Sequence, residues 1–194
     1  MTLSLTIIVI VVCVIIIAFV GYTLAWQMLI KAADRLTKKQ LALQPGMNVI
    51  DVGCGSGRVA IKLAPLVSPT GSVLGIDVNV GRIQRAEQRG QPLRIKNLRF
   101  EQAGAGEGKL PSQSFDRAIL SAVLGEMTNR EAALAEIFQA LKPTGLLSIT
   151  EGFLDPHHQS LEQIRHLAQA VGFVEESCAG NRWLFTVNLL KPTT

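Results

Sequence analysis

The sequence predicts an α/β protein: a three-layer αβα sandwich built on a mostly parallel seven-stranded sheet with an antiparallel last strand, preceded by one transmembrane helix. Three observations carry this. Seven short runs rich in Val, Ile, Leu and Phe alternate with segments of helical apolar spacing along most of the 194 residues, the pattern of a parallel sheet covered on both faces. Only residues 179–182 separate the last two runs, too few for a parallel crossover, so they pair as a hairpin. The first thirty residues contain no Asp, Glu, Lys or Arg.

From the front, residues 5–20 are almost unbroken Ile, Val, Leu and Phe, and a helix needs about 20 apolar residues to cross a bilayer. A cleaved signal peptide would want a basic residue before this run and a small-residue site after it. Neither is present. A buried core helix would show a polar face, and none is seen. Tyr22 and Trp26 suit the water–lipid boundary. Lys31, Arg35, Lys38 and Lys39 follow, against Asp34 alone, which places the rest of the chain on the cytoplasmic side of a single-pass anchor. This cluster accounts for much of the net charge of +4. Attraction to anionic lipid explains it, and no basic stripe with interleaved aromatics points to nucleic acid. The predicted division is a transmembrane helix over 1–30, a basic juxtamembrane helix and linker over 31–46, and a folded domain over 47–191.

Three cysteines, Cys13, Cys54 and Cys178, show neither paired nor metal spacing, so no disulfide framework and no metal site are expected. Cys54 reads as a small residue fitting a turn, with a reactive thiol at a helix start as the alternative.

The soluble elements follow in order. A short helix over 32–43 stops at Gln44, Pro45 and Gly46. The β-branched run 49–52 makes the first strand and breaks into Gly53, Gly55 and Gly57; a helix begins there and ends in a turn over 65–71. Glycine in such a turn permits positive φ and close approach of a ligand, and the free amides of the helix start favour a carboxylate or phosphate. Further strands are expected over 72–77, 98–101, 115–121, 146–150, 173–178 and 183–190, with helices over 80–89, 129–141 and 160–171. The glycine-rich stretch 103–108 reads as a loop at a strand end.

Several motifs stand in one order: VIDVGCGSG at 49–57, VLGID at 73–77, SFDRAILS at 114–121 and LKPTGLLSITE at 141–151. With them the chain resembles the class I S-adenosylmethionine-dependent methyltransferases, which are Rossmann-like, over roughly 36–190. The wording of 151–173 is similar to the ubiquinone- and menaquinone-type C-methyltransferases. A nicotinamide-dependent protein would carry GxGxxG; here the turn is GxGxG with Arg58 in the place of the third glycine, and the antiparallel last strand also argues against hydride chemistry.

The resemblance implies the cofactor S-adenosylmethionine. Gly53, Gly55 and Gly57 would wrap its methionine part, with Asp51 near the ammonium end. Asp77, followed by Val78, would accept hydrogen bonds from the ribose hydroxyls, and Ser121 would lie near the methionine moiety. Relatives commonly carry an acid beside an alanine after the third strand; here Gly104 and Ala105 stand there, with Glu107 displaced, so the adenine is held by backbone amides or by Glu107 swinging in. Thr144 stands where relatives often have glycine, a change expected to be harmless.

Transfer of a methyl group needs mainly positioning, and a base only where the acceptor loses a proton. The candidates are Glu126 and His157, with Glu151 and His158 nearby; each could equally be an ordinary polar residue, and His166 reads as structural. The expected function is a membrane-anchored methyltransferase acting on a small hydrophobic or lipid-like acceptor. The alternatives are a tethered cofactor-binding module without turnover and a methyltransferase acting on a membrane-associated protein.

Overall fold

The computed structural model describes residues 2–193; Met1, Thr194 and the side chains of residues 2–6, Trp26, Leu29 and Lys38 lie outside that description. The boundary role expected of the Trp26 ring and the charge of Lys38 therefore fall outside it.

Helix α1, Thr2–Gln40, runs for 39 residues without a break. The sequence suggested two helices, but no Gly or Pro lies near residue 31, and Ala32, Ala33 and Leu36 are good helix formers. Within α1, Ile7–Thr37 is long and apolar enough to cross a membrane, and its apolar window is not buried against the rest of the chain.

Seven strands follow: β1 Asn48–Val52, β2 Ser72–Asp77, β3 Leu98–Gln102, β4 Phe115–Ser121, β5 Leu141–Gly152, β6 Val174–Asn181 and β7 Leu184–Leu190. They lie in the order β3-β2-β1-β4-β5-β7-β6. The first five are parallel, whereas β7 pairs antiparallel with both β5 and β6. Strand order reverses between β1 and β4, the place where open α/β sheets bind ligands at the carboxyl ends of their strands.

Alternate residues of each strand face opposite layers. On one face Val49 and Ile119 meet Leu41 of the α1 end and Val59, Ala60 and Leu63 of helix α2, Arg58–Val67. On the other, Ile50, Leu120, Leu147 and Ile149 meet Leu134 and Ile137 of helix α4, Arg130–Ala140, and Ile164 and Ala168 of helix α5, Leu161–Val171. Helix α3, Val80–Gly90, packs along β2 and β3. Asn79, Asn129 and Ser160 cap α3, α4 and α5 by accepting amide hydrogen bonds, each worth about 1 kcal/mol.

Two boundaries differ from expectation. Helix α2 continues through Pro65 to Val67: proline forfeits one hydrogen bond there, while Ala64 and Val67 are both fully buried. Strand β5 begins at Leu141 rather than 146, because Leu141 pairs with Phe115 while residues 142–145 of β5 bulge out before Leu146 pairs with Arg117. This holds Thr144 at φ 63°. A β-branched residue in the left-handed region costs about 1–2 kcal/mol, so threonine here is a source of strain and not the harmless change expected.

The end of α1 is fastened to the sheet. The hydroxyls of Thr37, Thr150 and Thr186 form a buried chain with 2.7 Å between neighbours. Asn188 donates to the Gln40 carbonyl (3.0 Å) and Arg117 to the Leu41 carbonyl (2.9 Å). Asp34 pairs with Arg58 and, at 2.6 Å, with Lys62, both on α2. Along α1 toward its N-terminus, the contacts climb β5: Gln40 lies at Asn188, which is paired with Ser148; Thr37 lies at Thr150; Ile30 and Ala33 lie beside Gly152 and Leu184. Helix α1 thus leaves the domain over the carboxyl edge of the parallel strands.

Candidate functional site

The run of β-branched residues in β1 ends at a turn that only glycine adopts readily. Gly53, Gly55 and Gly57 have φ of 70°, 56° and 75°, and a Cβ on Gly53 would collide with the Val123 side chain. Gly57 is the N-cap of α2 and has no side chain to satisfy the first amides of that helix; Asp51 takes that of Ala60, and those of Arg58 and Val59 favour an anionic ligand group.

A cleft of ≈ 330 Å³ opens beside this turn. Its walls are Val52 at the end of β1 with Gly53, Asp77 at the end of β2 with Val78 and Arg82, residues 103–107 after β3, and Val123 with Glu126 to Asn129 after β4. Of the residues named from the sequence, Gly53, Asp77, Val78, Gly104, Ala105 and Glu126 therefore meet on one cavity.

Asp77, in its wall, is 3% exposed. Its Oδ2 accepts the Gly55 amide (3.0 Å) and its Oδ1 the Asn79 amide (2.9 Å). A carboxylate offers about four lone-pair sites, so one site on each oxygen remains for a pair of ligand hydroxyls. Arg82 lies 3.7 Å from Asp77 and 3.8 Å from Glu126, linking the two acids across the cleft.

The loop after β3 is held in place by a residue not singled out from the sequence. Glu136 of α4 accepts the amides of Gly106 and Leu110, the latter at 2.7 Å. Burial opposes its charge, but the amides of Leu110, Gly106, Gly108 and Lys109 outweigh this and hold its carboxyl below the ordinary carboxylate range. Nothing local in the sequence signals it, since α4 also carries Arg130, Glu131 and Gln139. Glu107 curls back over Gly104: a Cβ on Gly104 would lie 2.6 Å from Glu107 Oε1. The absent side chain at 104 thus makes room for the carboxylate from 107, which also pairs with Lys109 at 2.7 Å.

Other named residues lie off the cleft. Asp51 is buried behind the turn, where its Oδ2 accepts the Ala60 amide at 3.1 Å. Burial above all, and the Asp77 charge in addition, push its carboxyl up to about 7 against the Ala60 hydrogen bond. Gly55 borders a separate surface hollow with Arg85 and Arg89. Ser121 faces the α1 side, in a hollow with Ile30, Ala33 and Arg58. His157 is exposed, its Nδ1 3.8 Å from Asp155, but its backbone carbonyl packs against Gly125. That brings its loop alongside the one bearing Glu126. Glu151 is 1% exposed, its Oε1 without a partner and its Oε2 3.4 Å from the Gln159 amide; burial drives it up to about 7. His166 is exposed on α5. Burial, then the Asp51 and Asp77 charges, push the Cys54 thiol up, so it is no reactive thiolate. Among the described residues no His, Cys, Asp and Glu cluster suits a metal.

A family model described as a methyltransferase domain matches residues 43–185. The chain belongs to this S-adenosylmethionine-dependent methyltransferase family. Among curated methyltransferases, the ubiquinone/menaquinone biosynthesis C-methyltransferase of Shewanella pealeana is 31% identical over 132 residues, 67% of this chain and 52% of that protein. The demethylmenaquinone methyltransferase of Lactobacillus johnsonii is 34% identical over 115 residues, 58% of this chain and 47% of that protein. The chain thus spans about half the length of the curated methyltransferases it matches. Among solved structures, a SAM-dependent methyltransferase from Aquifex aeolicus superposes with a TM-score of 0.74 at 22% identity, covering 81% of this chain and 88% of its own. The [4+2]-cyclase SpnF gives 0.73 at 20% identity, covering 84% and 83%. Likenesses at such identities establish the fold, and the cyclase shares it.

The residues of the cleft fit the family's cofactor. Asp77 has lone pairs for two hydroxyls, the glycine turn permits close approach of a ligand, and the Glu107 carboxylate curled over Gly104 is an acceptor for an amino group.

Proposed function

We propose that the chain is a membrane-anchored methyltransferase that transfers a methyl group from S-adenosylmethionine to a small hydrophobic or lipid-like acceptor. When bound, the cofactor supplies an electrophilic methyl group on a sulfonium. The chain's own part is to orient both reactants and exclude water. In this reading Asp77 holds the ribose hydroxyls, Val78, Gly104 and Ala105 flank the base, and Glu107 reaches its amino group over the unfilled position at 104. The turn of Gly53, Gly55 and Gly57 lets the methionine part approach its backbone, its Gly55 and Gly57 amides being held by Asp77 and the Cys54 carbonyl. Asp51, tied to Ala60, fixes the angle between β1 and α2 and acts on the cofactor only through the turn. Ser121 closes the far side of that turn. Glu126 and His157 are the groups near the mouth that can take a proton from an acceptor, Glu126 once it is free of Arg82.

The observation that carries the lipid-like acceptor is the path of α1. An apolar helix of membrane-spanning length leaves the domain at the edge where the cleft opens, which brings the cleft to the acceptor's phase. The quinone-type names of the Shewanella and Lactobacillus proteins point to the same class.

The test is to incubate membranes containing the full chain with methyl-labelled S-adenosylmethionine and to separate lipid-extractable from protein-bound label. Label in the lipid extract, absent with an Asp77→Ala chain, is the expected result. Label on protein alone would replace the small acceptor by a membrane-associated protein. Cofactor binding without label in either fraction would make the chain a binding module.

A further inference from the structure

Beyond the cleft, the carboxyl edge carries an exposed apolar cluster that the cofactor site does not use. Phe153 and Leu154 follow β5 and Trp183 lies in the β6–β7 turn, each 50% exposed. The rings of Phe153 and Trp183 meet edge to face with centroids 4.8 Å apart, and the Phe153 amide donates to the Trp183 carbonyl at 2.8 Å. Asn181 Oδ1 accepts the amides of Trp183 (2.9 Å) and Leu184 (3.2 Å), so the turn is built and not loose. The guanidinium of Arg182 lies 4.7 Å from the centre of the Trp183 ring. Two aromatic rings and a leucine held outward, with a cation over one of them, are the chemistry of a headgroup-layer contact.

Their position relative to α1 decides what covers them. Ile30 and Ala33 lie beside Gly152 and Leu184, the immediate neighbours of Phe153 and Trp183 in the chain. Counting back from Ile30 to Leu24, where the apolar run of about 20 residues ends, gives about 9 Å at ~1.5 Å per residue. The headgroup layer beyond the hydrocarbon is about 5–8 Å thick on each side. Side chains projecting from the carboxyl edge therefore reach that layer. Arg182, over the Trp183 ring, faces the same zone and suits anionic headgroups.

We propose that Phe153, Leu154 and Trp183 form an interfacial foot that seats the carboxyl edge of the sheet on the bilayer surface beside α1. Two points of attachment, the helix and the foot, fix the tilt of the domain, and the cleft mouth is held against the lipid. The proposal rests on α1 lying in a bilayer, and the chain's two tryptophans separate the two claims, since Trp26 lies in α1 and Trp183 in the foot.

The experiment uses the full chain in vesicles of phosphatidylcholine and phosphatidylglycerol, with bromine placed either near the headgroups or deep in the acyl chains. A Trp26→Phe chain reports Trp183 alone, and a Trp183→Phe chain reports Trp26 alone. The expected result is loss of Trp183 emission with shallow bromine exceeding that with deep bromine, alongside quenching of Trp26. Quenched Trp26 with unquenched Trp183 would leave the anchor standing and overturn the foot. Quenching of neither would overturn both.

Discussion

Replacing Glu151 with glutamine should change how stability depends on pH. The carboxyl is 1% exposed and one of its oxygens has no partner, so its charge is unfavourable in the folded state. Burial raises it from an ordinary 4.5 to about 7. Between these values the folded chain holds a proton that the unfolded chain releases, so this group's contribution is full below about 4.5, falls as pH rises, and is lost above about 7. At about 1.4 kcal/mol per pH unit the loss is on the order of 3 kcal/mol. For a domain of this size that is about 6–12 °C in Tm. Glutamine mimics the protonated acid at every pH and removes this slope. The assay is thermal unfolding of both full chains in mild detergent, followed by near-ultraviolet circular dichroism between about pH 5 and pH 8. Asp51 adds a slope of the same sign to both, so the difference between the two chains isolates Glu151. Parallel curves would show that Glu151 is charged and solvated at neutral pH, refuting its burial as the cause.

Three further outcomes follow from particular contacts. Asp77→Ala should lower the affinity for S-adenosylmethionine and S-adenosylhomocysteine alike by about 1.5–3 kcal/mol, the worth of hydrogen bonds to a charged group, read by calorimetry; equal affinities in a folded variant would remove Asp77 from the site. Thr144→Gly should relieve the left-handed strain and raise stability by about 1 kcal/mol, measured as a higher Tm, and a lower Tm would count against it. Glu136→Ala should release the loop after β3, with amide exchange at Gly106 and Leu110 faster by about tenfold or more while exchange in β1 stays as in the parent.

Most of the fold was legible because local chemistry and tertiary demand agree. The strands β1, β2 and β4 are apolar runs bounded by turn residues, and their bounds needed no long-range information. What was missed depends on partners distant in sequence. Leu141 joins β5 because Phe115 receives it, and α2 passes Pro65 because Val67 has a core to enter. The cleft was half legible: the glycine turn and Asp77 lie in contiguous motifs, whereas Glu136 acts on a loop about 30 residues earlier and gives no local sign. Asp51 and Ser121 read as cleft residues by motif position, but strand alternation turns both toward the α1–α2 layer. Glu107 could be named as a neighbour; that its carboxylate fills the space over Gly104 needed the loop's path.

The threonine chain from Thr37 through Thr150 to Thr186 has a kinetic consequence. A slip or roll of α1 by one residue would break the buried Thr37–Thr150 bond together with the Asn188 and Arg117 bonds to the α1 end, so the helix does not swivel freely on the sheet. With α1 across a bilayer, such a rigid joint confines the domain's search to lateral diffusion and spin about the membrane normal. Turnover would then follow the number of acceptor molecules per unit area of membrane, independent of how dilute the suspension is.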